Sequence, residues 1–320
     1  MQPLISVITP SLNTGRFLRD TVESILGQSY KNFEQIVVDG GSTDETIGIL
    51  KQYPHIKWKS AREEPDTPIT QVFREAFEMS RGEYIIQCCI SDGFLDKEWF
   101  KTCVDILEAN SDIALVYGLP QDMSEEGRLG RLCYPEFLED PPPDGVGFLP
   151  LWLATGFFFP EGNYCVRREV FDRCFPKDEL GDIFRTHPVL GFIYNFNVAG
   201  YQAVFVPKIA NYGRHHGNSR QISRRPQEKI IENMYYRMVK EYGRAILNGS
   251  ASHQFRNGRS EVVGQVEFDD RKKYKKAISR YKYMYSRLLR TDLYTMLKKV
   301  RQYGISGFVS LVFEKIRRIL

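Results

Sequence analysis

Residues 4–13 read LISVITPSLN and residues 33–44 read FEQIVVDGGSTD. Each is a short β-branched apolar run that ends in small, polar or glycine residues, the pattern of a strand buried on both faces of a parallel sheet. Between them Phe17, Leu18, Val22, Ile25 and Leu26 recur at helical spacing over 16–28, so the chain opens with a strand–helix–strand unit. The alternation continues. The spacing predicts a helix over 42–53, with Ser42 and Glu45 as a capping box, a strand over 56–60, a helix over 69–80 and a third buried strand over 83–90. This order implies an α/β fold with a mainly parallel central sheet flanked by helices.

Residues 97–109 read as a helix and 113–118 as a strand, after which Pro135 and Pro141, Pro142 and Pro143 mark 119–150 as a loop-rich insertion. Strand and helix signals return over 157–200, residues 203–207 are strand-like, and 227–247 and 271–303 are helical. The expected division is a domain over 1–225, its ligand-binding part about 1–118 and its remainder about 119–225, followed by a helical basic extension over 226–320.

The 320 residues are 42% hydrophobic and 26% charged, an ordinary globular composition that argues against disorder. Six scattered cysteines without a C-x-x-C pair read as reduced thiols of a cytoplasmic protein, and no run of 18 uncharged apolar residues predicts a membrane span. The net charge of +4 conceals an asymmetry: residues 271–320 hold fifteen Lys or Arg against Asp292 and Glu314. The first 270 residues carry 29 basic and 38 acidic side chains, so the body is not built to bind nucleic acid while the tail suits an anionic partner.

Ligands of a parallel sheet bind beyond the carboxyl ends of its strands, which selects Thr9–Asn13, Asp39–Asp44 and Ile90–Gly93. Asp39 can accept hydrogen bonds from a nucleobase or ribose, and Gly40 and Gly41 allow close approach of backbone. The competing reading of DGGSTDE is a tight turn followed by a helix cap.

PLISVITPSLN, QSYKNFEQIVVDGGSTDET and SRGEYIIQCCISDG, in this order and spacing, resemble the opening blocks of the family 2 glycosyltransferases, which have the GT-A nucleotide-diphosphosugar fold. The resemblance covers residues 3–118 strongly and 157–220 weakly. It implies that Thr9, Pro10 and Asn13 line the nucleoside pocket, that Asp39 contacts the base with Gly41 and Ser42 in the adjoining turn, and that Asp66 and Ser91 lie near the donor; Asp66 is equally read as a helix cap. Family members carry Asp-x-Asp or Asp-Asp after the strand that ends here at Gln87, to hold Mg²⁺ or Mn²⁺ against the diphosphate. This chain keeps only Asp92 there, so the divalent cation is expected on Asp92, the diphosphate and water, with help from His215 or His216. Arg214 is expected to meet the donor phosphates.

The family's general base, an acid that faces the acceptor, corresponds to Asp182 or His187: Asp182 has the favoured chemistry, His187 the better spacing. Arg167 and Arg168 are read as either shaping the acceptor side or solvated. The implied reaction is inverting transfer from a UDP- or GDP-linked sugar to a glycan or lipid-linked glycan. The basic tail, which interleaves Lys and Arg with Tyr and Leu, is read as a peripheral contact with the inner face of the cell membrane, a helix packed on the domain or an oligomer contact. A non-catalytic sugar-nucleotide-binding scaffold is the rival reading. A nucleotidyltransferase would want a glycine-rich phosphate loop with a basic residue after the first strand, which SLNTGR fits poorly.

Overall fold

The structure, a computed structural model, describes residues 2–60, 69–132, 148–156, 162–177, 184, 187–217, 225–267 and 270–283. The opening strand–helix–strand unit forms as expected: β1 (Ile5–Ser11), α1 (Gly15–Leu26) and β2 (Phe33–Asp39), with β1 and β2 parallel in the register Ile5↔Phe33 to Ser11↔Asp39. β3 (Ile56–Ser60) extends this sheet beside β2, and β4 (Tyr84–Gln87) lies parallel on the other side of β1. The order is β3-β2-β1-β4-β8-β6-β9-β5, with β7 paired to β6, so the carboxyl ends of β1, β2 and β4 share one edge of the sheet.

The second half of the sheet is mixed. β8 (Tyr164–Arg167) runs antiparallel to both β4 and β6 (Ile113–Met123), while β9 (Gln202–Arg214) runs parallel to β6. β5 (Gly93–Phe94) pairs antiparallel with the end of β9, and β7 (Leu129–Leu132) with the end of β6. Two expectations change here. β6 continues five residues past Gly118 into the segment read as an insertion, and β9 runs to Arg214 rather than stopping at Pro207. In both cases the partner strand supplies pairing that local breakers such as Pro120 and Pro207 conceal.

Helices α3 (Ile69–Met79), α4 (Trp99–Ala109), α6 (Arg168–Cys174) and α7 (Pro188–Val198) complete the layers around the sheet. One apolar cluster joins Ile5, Val7, Ile86 and Cys88 to Trp99, Phe100, Cys103 and Cys165. Another joins Phe17, Leu18 and Val22 of α1 to Val37, Ile49 and Ile56. α7 is anchored by aromatic contacts: Phe192 stacks on Tyr164 at 5.4 Å between centroids and meets Phe171 at 5.7 Å. Such pairs add about 0.5–1.5 kcal/mol each beyond burial. α2 (Thr46–Leu50) is shorter than predicted, and the expected capping box is absent because the Ser42 hydroxyl donates to Asp39 instead.

The chain divides into two compact units: Met1–Tyr134, Phe158–Ile231 and Gln254–Gly264 form the first, and Pro135–Phe157, Glu232–His253 and Gln265–Leu320 the second. Within the second, α5 (Leu149–Thr155) packs on α8 (Arg225–Asn248), with Trp152 Nε1 donating to Tyr235 Oη at 2.8 Å. A short hairpin of β10 (Gln254–Arg256) and β11 (Val262–Gln265) lies between the two stretches predicted to be helical. Among the described residues the last helix, α9, covers 270–283; Tyr274, Ala277, Ile278 and Tyr281 form its buried stripe, and Lys272, Lys273, Lys275, Lys276, Arg280 and Lys282 are exposed. No helix among the described residues is long and apolar enough to cross a membrane.

Candidate functional site

The loops that follow β1 and β2 are tied into one structure. Asn13, at φ 50°, receives the Thr43 amide on Oδ1 at 2.8 Å, while its own amide donates to Ser42 Oγ at 2.7 Å. The Thr14 amide donates to Thr46 Oγ1, and the Gly15 amide to Asp44 Oδ2 at 3.0 Å. A Cβ on Gly15 would lie 2.8 Å from the Thr46 backbone nitrogen, so only glycine permits this approach. Asp44 Oδ1 also accepts the Thr46 amide, so one carboxylate spans both loops. Burial raises its pKa, but the hydrogen bonds from Thr46 and Gly15 outweigh that and hold it below the usual aspartate range. The clip is therefore complete at neutral pH and is lost only as pH falls through that lowered pKa. Asp44→Ala is expected to destabilise the chain by about 1–3 kcal/mol, read as a lower denaturant midpoint at unchanged slope, with partial recovery in Asp44→Asn.

Asp39 is fully buried. Its Oδ2 accepts the Gly41 amide at 3.0 Å, the Ser42 amide at 2.9 Å and the Ser60 hydroxyl at 2.8 Å, and its Oδ1 accepts the Ser42 hydroxyl. With about four acceptor sites on a carboxylate, these bonds engage most of its capacity, and both readings of DGGSTD meet in one residue. Asp39 shapes the turn, with Gly41 at φ 86°, at the mouth of the sheet. Pro10 is buried beside Val38, and Thr9 is fully buried with a hydroxyl that has no partner among the described residues.

The second part of the site is the turn between β4 and β5. Ser91 is buried at φ 101°, a strained conformation for a residue with a side chain. Its amide donates to Thr21 Oγ1 at 3.2 Å, and the same hydroxyl donates to the Asp92 carbonyl at 2.7 Å. Beyond Asp92, the Phe94 amide donates to Ser24 Oγ at 3.1 Å. A Cβ on Gly93 would lie 2.5 Å from Tyr212 Oη, which reserves that position for glycine. Asp92 Oδ1 accepts the backbone amide of Arg214 at 3.1 Å. The Arg214 guanidinium pairs with Asp20 at 2.6 Å and lies over the rings of Phe17 and Tyr212. Ser91, Asp92 and Arg214 are thus brought together, by α1 as much as by the strands.

The two histidines have different partners. His215 Nε2 lies 3.0 Å from Asp122 Oδ1, whereas His216 packs on Phe17 at 4.8 Å with its Nδ1 buried and unpartnered among the described residues. Burial depresses the His216 pKa, reinforced by the charges of Arg214, Arg16 and His215. Among the described residues no three His, Cys, Asp or Glu side chains form a ligand set. A small hard cation is commonly held by one or two carboxylates together with substrate phosphates and water. Asp92, oriented by the Arg214 amide, fits that mode and does not form an all-protein cage.

On the acceptor side, Asp182 lies outside the described residues, as does Asp66. His187 caps α7 ahead of Pro188, and burial lowers its pKa to about 4, so it is a neutral imidazole at neutral pH. Arg167 and Arg168 are partly buried, and each bonds to backbone carbonyls. Arg167 donates to the carbonyls of Leu107 and Asn110 at the end of α4 and to that of Ile113 at the start of β6. Arg168 donates to those of Phe77, Ser80 and Gly82 at the end of α3 while stacking on Phe77 at 4.3 Å. Each satisfies the bare carbonyls of a helix C-terminus, where a cation is also favoured by the dipole.

Comparison with known proteins agrees with this architecture. Residues 6–175, more than half of the chain, match the model of glycosyl transferase family 2. Chondroitin synthase of Escherichia coli is 30% identical over 131 residues, 40% of this chain and 18% of that one. Overall the matches span between 14 and 39% of the length of the curated relatives. Among solved structures, Staphylococcus aureus TarS 1–349 in complex with UDP-GlcNAc superposes with a TM-score of 0.55 at 16% identity, over 99% of this chain and 83% of that one. The mannosyltransferase PcManGT of Pyrobaculum calidifontis, in complex with GDP-Man and Mn²⁺, gives 0.56 at 13%, over 100% and 86%. These two likenesses establish the GT-A fold. The family match, the interlocked loops after β1 and β2 and the Asp92 turn converge on one assignment: the chain belongs to glycosyl transferase family 2.

Proposed function

We propose that this chain transfers a glycosyl group from a UDP- or GDP-linked sugar to a hydroxyl of a glycan or lipid-linked glycan, with inversion at the anomeric carbon. The observation that carries the proposal is the meeting, at one edge of the sheet, of a rigid polar turn around Asp39 with a strained turn bearing Asp92. The bound donors of TarS and PcManGT support a nucleoside-diphosphate sugar, and chondroitin synthase supports a role in polysaccharide assembly. Thr9, Pro10, Asn13, Gly41 and Ser42 line the nucleoside end, and Asp66, outside the described residues, is read as a further donor contact.

In the reaction the acceptor oxygen attacks C1, the bond from C1 to the phosphate oxygen breaks, its electron pair leaves with the diphosphate, and the hydroxyl proton passes to the base. Asp92 would hold a divalent cation, which would supply charge neutralisation for the diphosphate. Arg214, whose guanidinium is engaged by Asp20, acts mainly by orienting Asp92. Asp182 is the preferred base. A proton taken by a carboxylate removes a charge, whereas one taken by His187 creates a cation in surroundings that already disfavour it. Transfer of radiolabelled sugar from a donor panel to glycan acceptors tests the proposal; turnover with one nucleotide class supports it, and donor binding with no transfer to any acceptor supports a scaffold.

The exposed basic face of α9 supports peripheral contact with the inner, anionic face of the cell membrane. Because its apolar stripe is already buried, the described part of this contact is electrostatic and not inserted. Sedimentation with phosphatidylglycerol vesicles is expected at about 0.05 M salt and is lost by about 1 M. Binding that persists at high salt contradicts a purely electrostatic contact.

A further inference from the structure

We infer that Thr21 of α1 is a positioning residue for the Asp92 carboxylate, acting through the backbone of the turn that carries it. The inference rests on the reading of Asp92 as the donor-site carboxylate. Ser91 holds a left-handed conformation at φ 101°, which a serine adopts only when its surroundings fix it. Thr21 supplies that fixation with a single hydroxyl that accepts the Ser91 amide and donates to the Asp92 carbonyl, so it grips the peptide units that flank Ser91–Asp92 on either side. Its other acceptor, the Phe17 carbonyl, is distant at 3.4 Å, so the donated proton goes to Asp92. Thr21 is fully buried and lies in the apolar stripe of α1 between Phe17, Leu18, Val22 and Ile25, where packing alone would favour a hydrocarbon side chain.

One turn later, Ser24 accepts the Phe94 amide and donates to the Thr21 carbonyl. α1 therefore presents two hydroxyls, at i and i+3, that hook the turn before and after Asp92. The Arg214 amide holds the carboxylate itself from the opposite strand. With the backbone fixed by α1 and one oxygen fixed by β9, Asp92 has a defined direction. Without Thr21, relaxation of Ser91 towards negative φ would rotate the Asp92 peptide and swing the carboxylate away from the Arg214 amide.

The test compares Thr21→Val, which keeps the shape and removes the hydroxyl, with Thr21→Ser, which keeps the hydroxyl. Calorimetric titration of UDP- and GDP-sugars is run across a Mn²⁺ series, and unfolding midpoints are recorded without ligand. Thr21→Val is expected to raise the Mn²⁺ concentration for half-maximal donor binding by roughly tenfold or more, as loss of an outer-sphere partner does. Thr21→Ser is expected to stay within about threefold of the parent. Ser24→Ala, which loosens the other hook, moves the same way and serves if Thr21→Val does not fold. Unchanged Mn²⁺ dependence in folded Thr21→Val or Ser24→Ala overturns the inference, provided Asp92→Asn weakens binding in the same titration. If Asp92→Asn is without effect, the reading of Asp92 fails and the inference falls with it.

Discussion

Asp92→Ala is expected to lower sugar transfer by about 10²- to 10⁴-fold and to abolish the cation dependence of donor binding. The size follows from its isolation: family members place two carboxylates here, whereas Cys89, Ile90, Ser91 and Gly93 around Asp92 offer no second acid. The substitution leaves the Arg214 amide without its 3.1 Å acceptor, but the turn remains hooked by Thr21 and Ser24, so unfolding should shift little. Steady-state transfer with parallel donor titration separates the two effects. Retention of more than about a tenth of the parent kcat would remove Asp92 from the proposed chemistry.

Asp182→Asn is expected to lower kcat by about 10²- to 10⁴-fold with donor affinity nearly intact, while His187→Gln changes kcat by less than about tenfold. The contrast rests on the sign of the charge change. His187 already has its pKa depressed to about 4 by burial, so becoming a cation during turnover works against its surroundings. The pH profile gives a second readout, since the acid limb of kcat in the parent should reflect a carboxylate and survive in His187→Gln. Loss of turnover in His187→Gln with full activity in Asp182→Asn reverses the assignment.

The first half of the fold was legible because its strands are buried on both faces, so Leu4–Pro10 and Phe33–Asp39 are apolar at every position that matters and end in recognisable loops. The later sheet was less legible. β6 and β9 pass through Gly118, Pro120, Pro207 and Lys208, residues that locally argue against a strand, and are held by each other. At the site, the motif residues were visible but their division of labour was not. Asp39 reads equally as a ligand contact or a turn former, and its bonds to Gly41, Ser42 and Ser60 reveal how strongly it forms the turn. Asp44, overlooked among the motif's polar residues, joins loops 29 positions apart. Thr21 did leave a signal: a hydroxyl inside an apolar helical stripe must find a polar partner when buried. The paired Arg167 and Arg168 left none, since helix C-termini 57 to 91 residues away specify their roles.

The measurement that bears most directly on the central claim is calorimetric binding of UDP-, GDP-, CMP- and dTDP-sugars to the parent chain and to Asp92→Ala, with Mn²⁺, with Mg²⁺ and with chelator. The account predicts cation-dependent binding of one class, UDP- or GDP-linked, that is lost in Asp92→Ala. Absence of binding for every donor under every condition would contradict it.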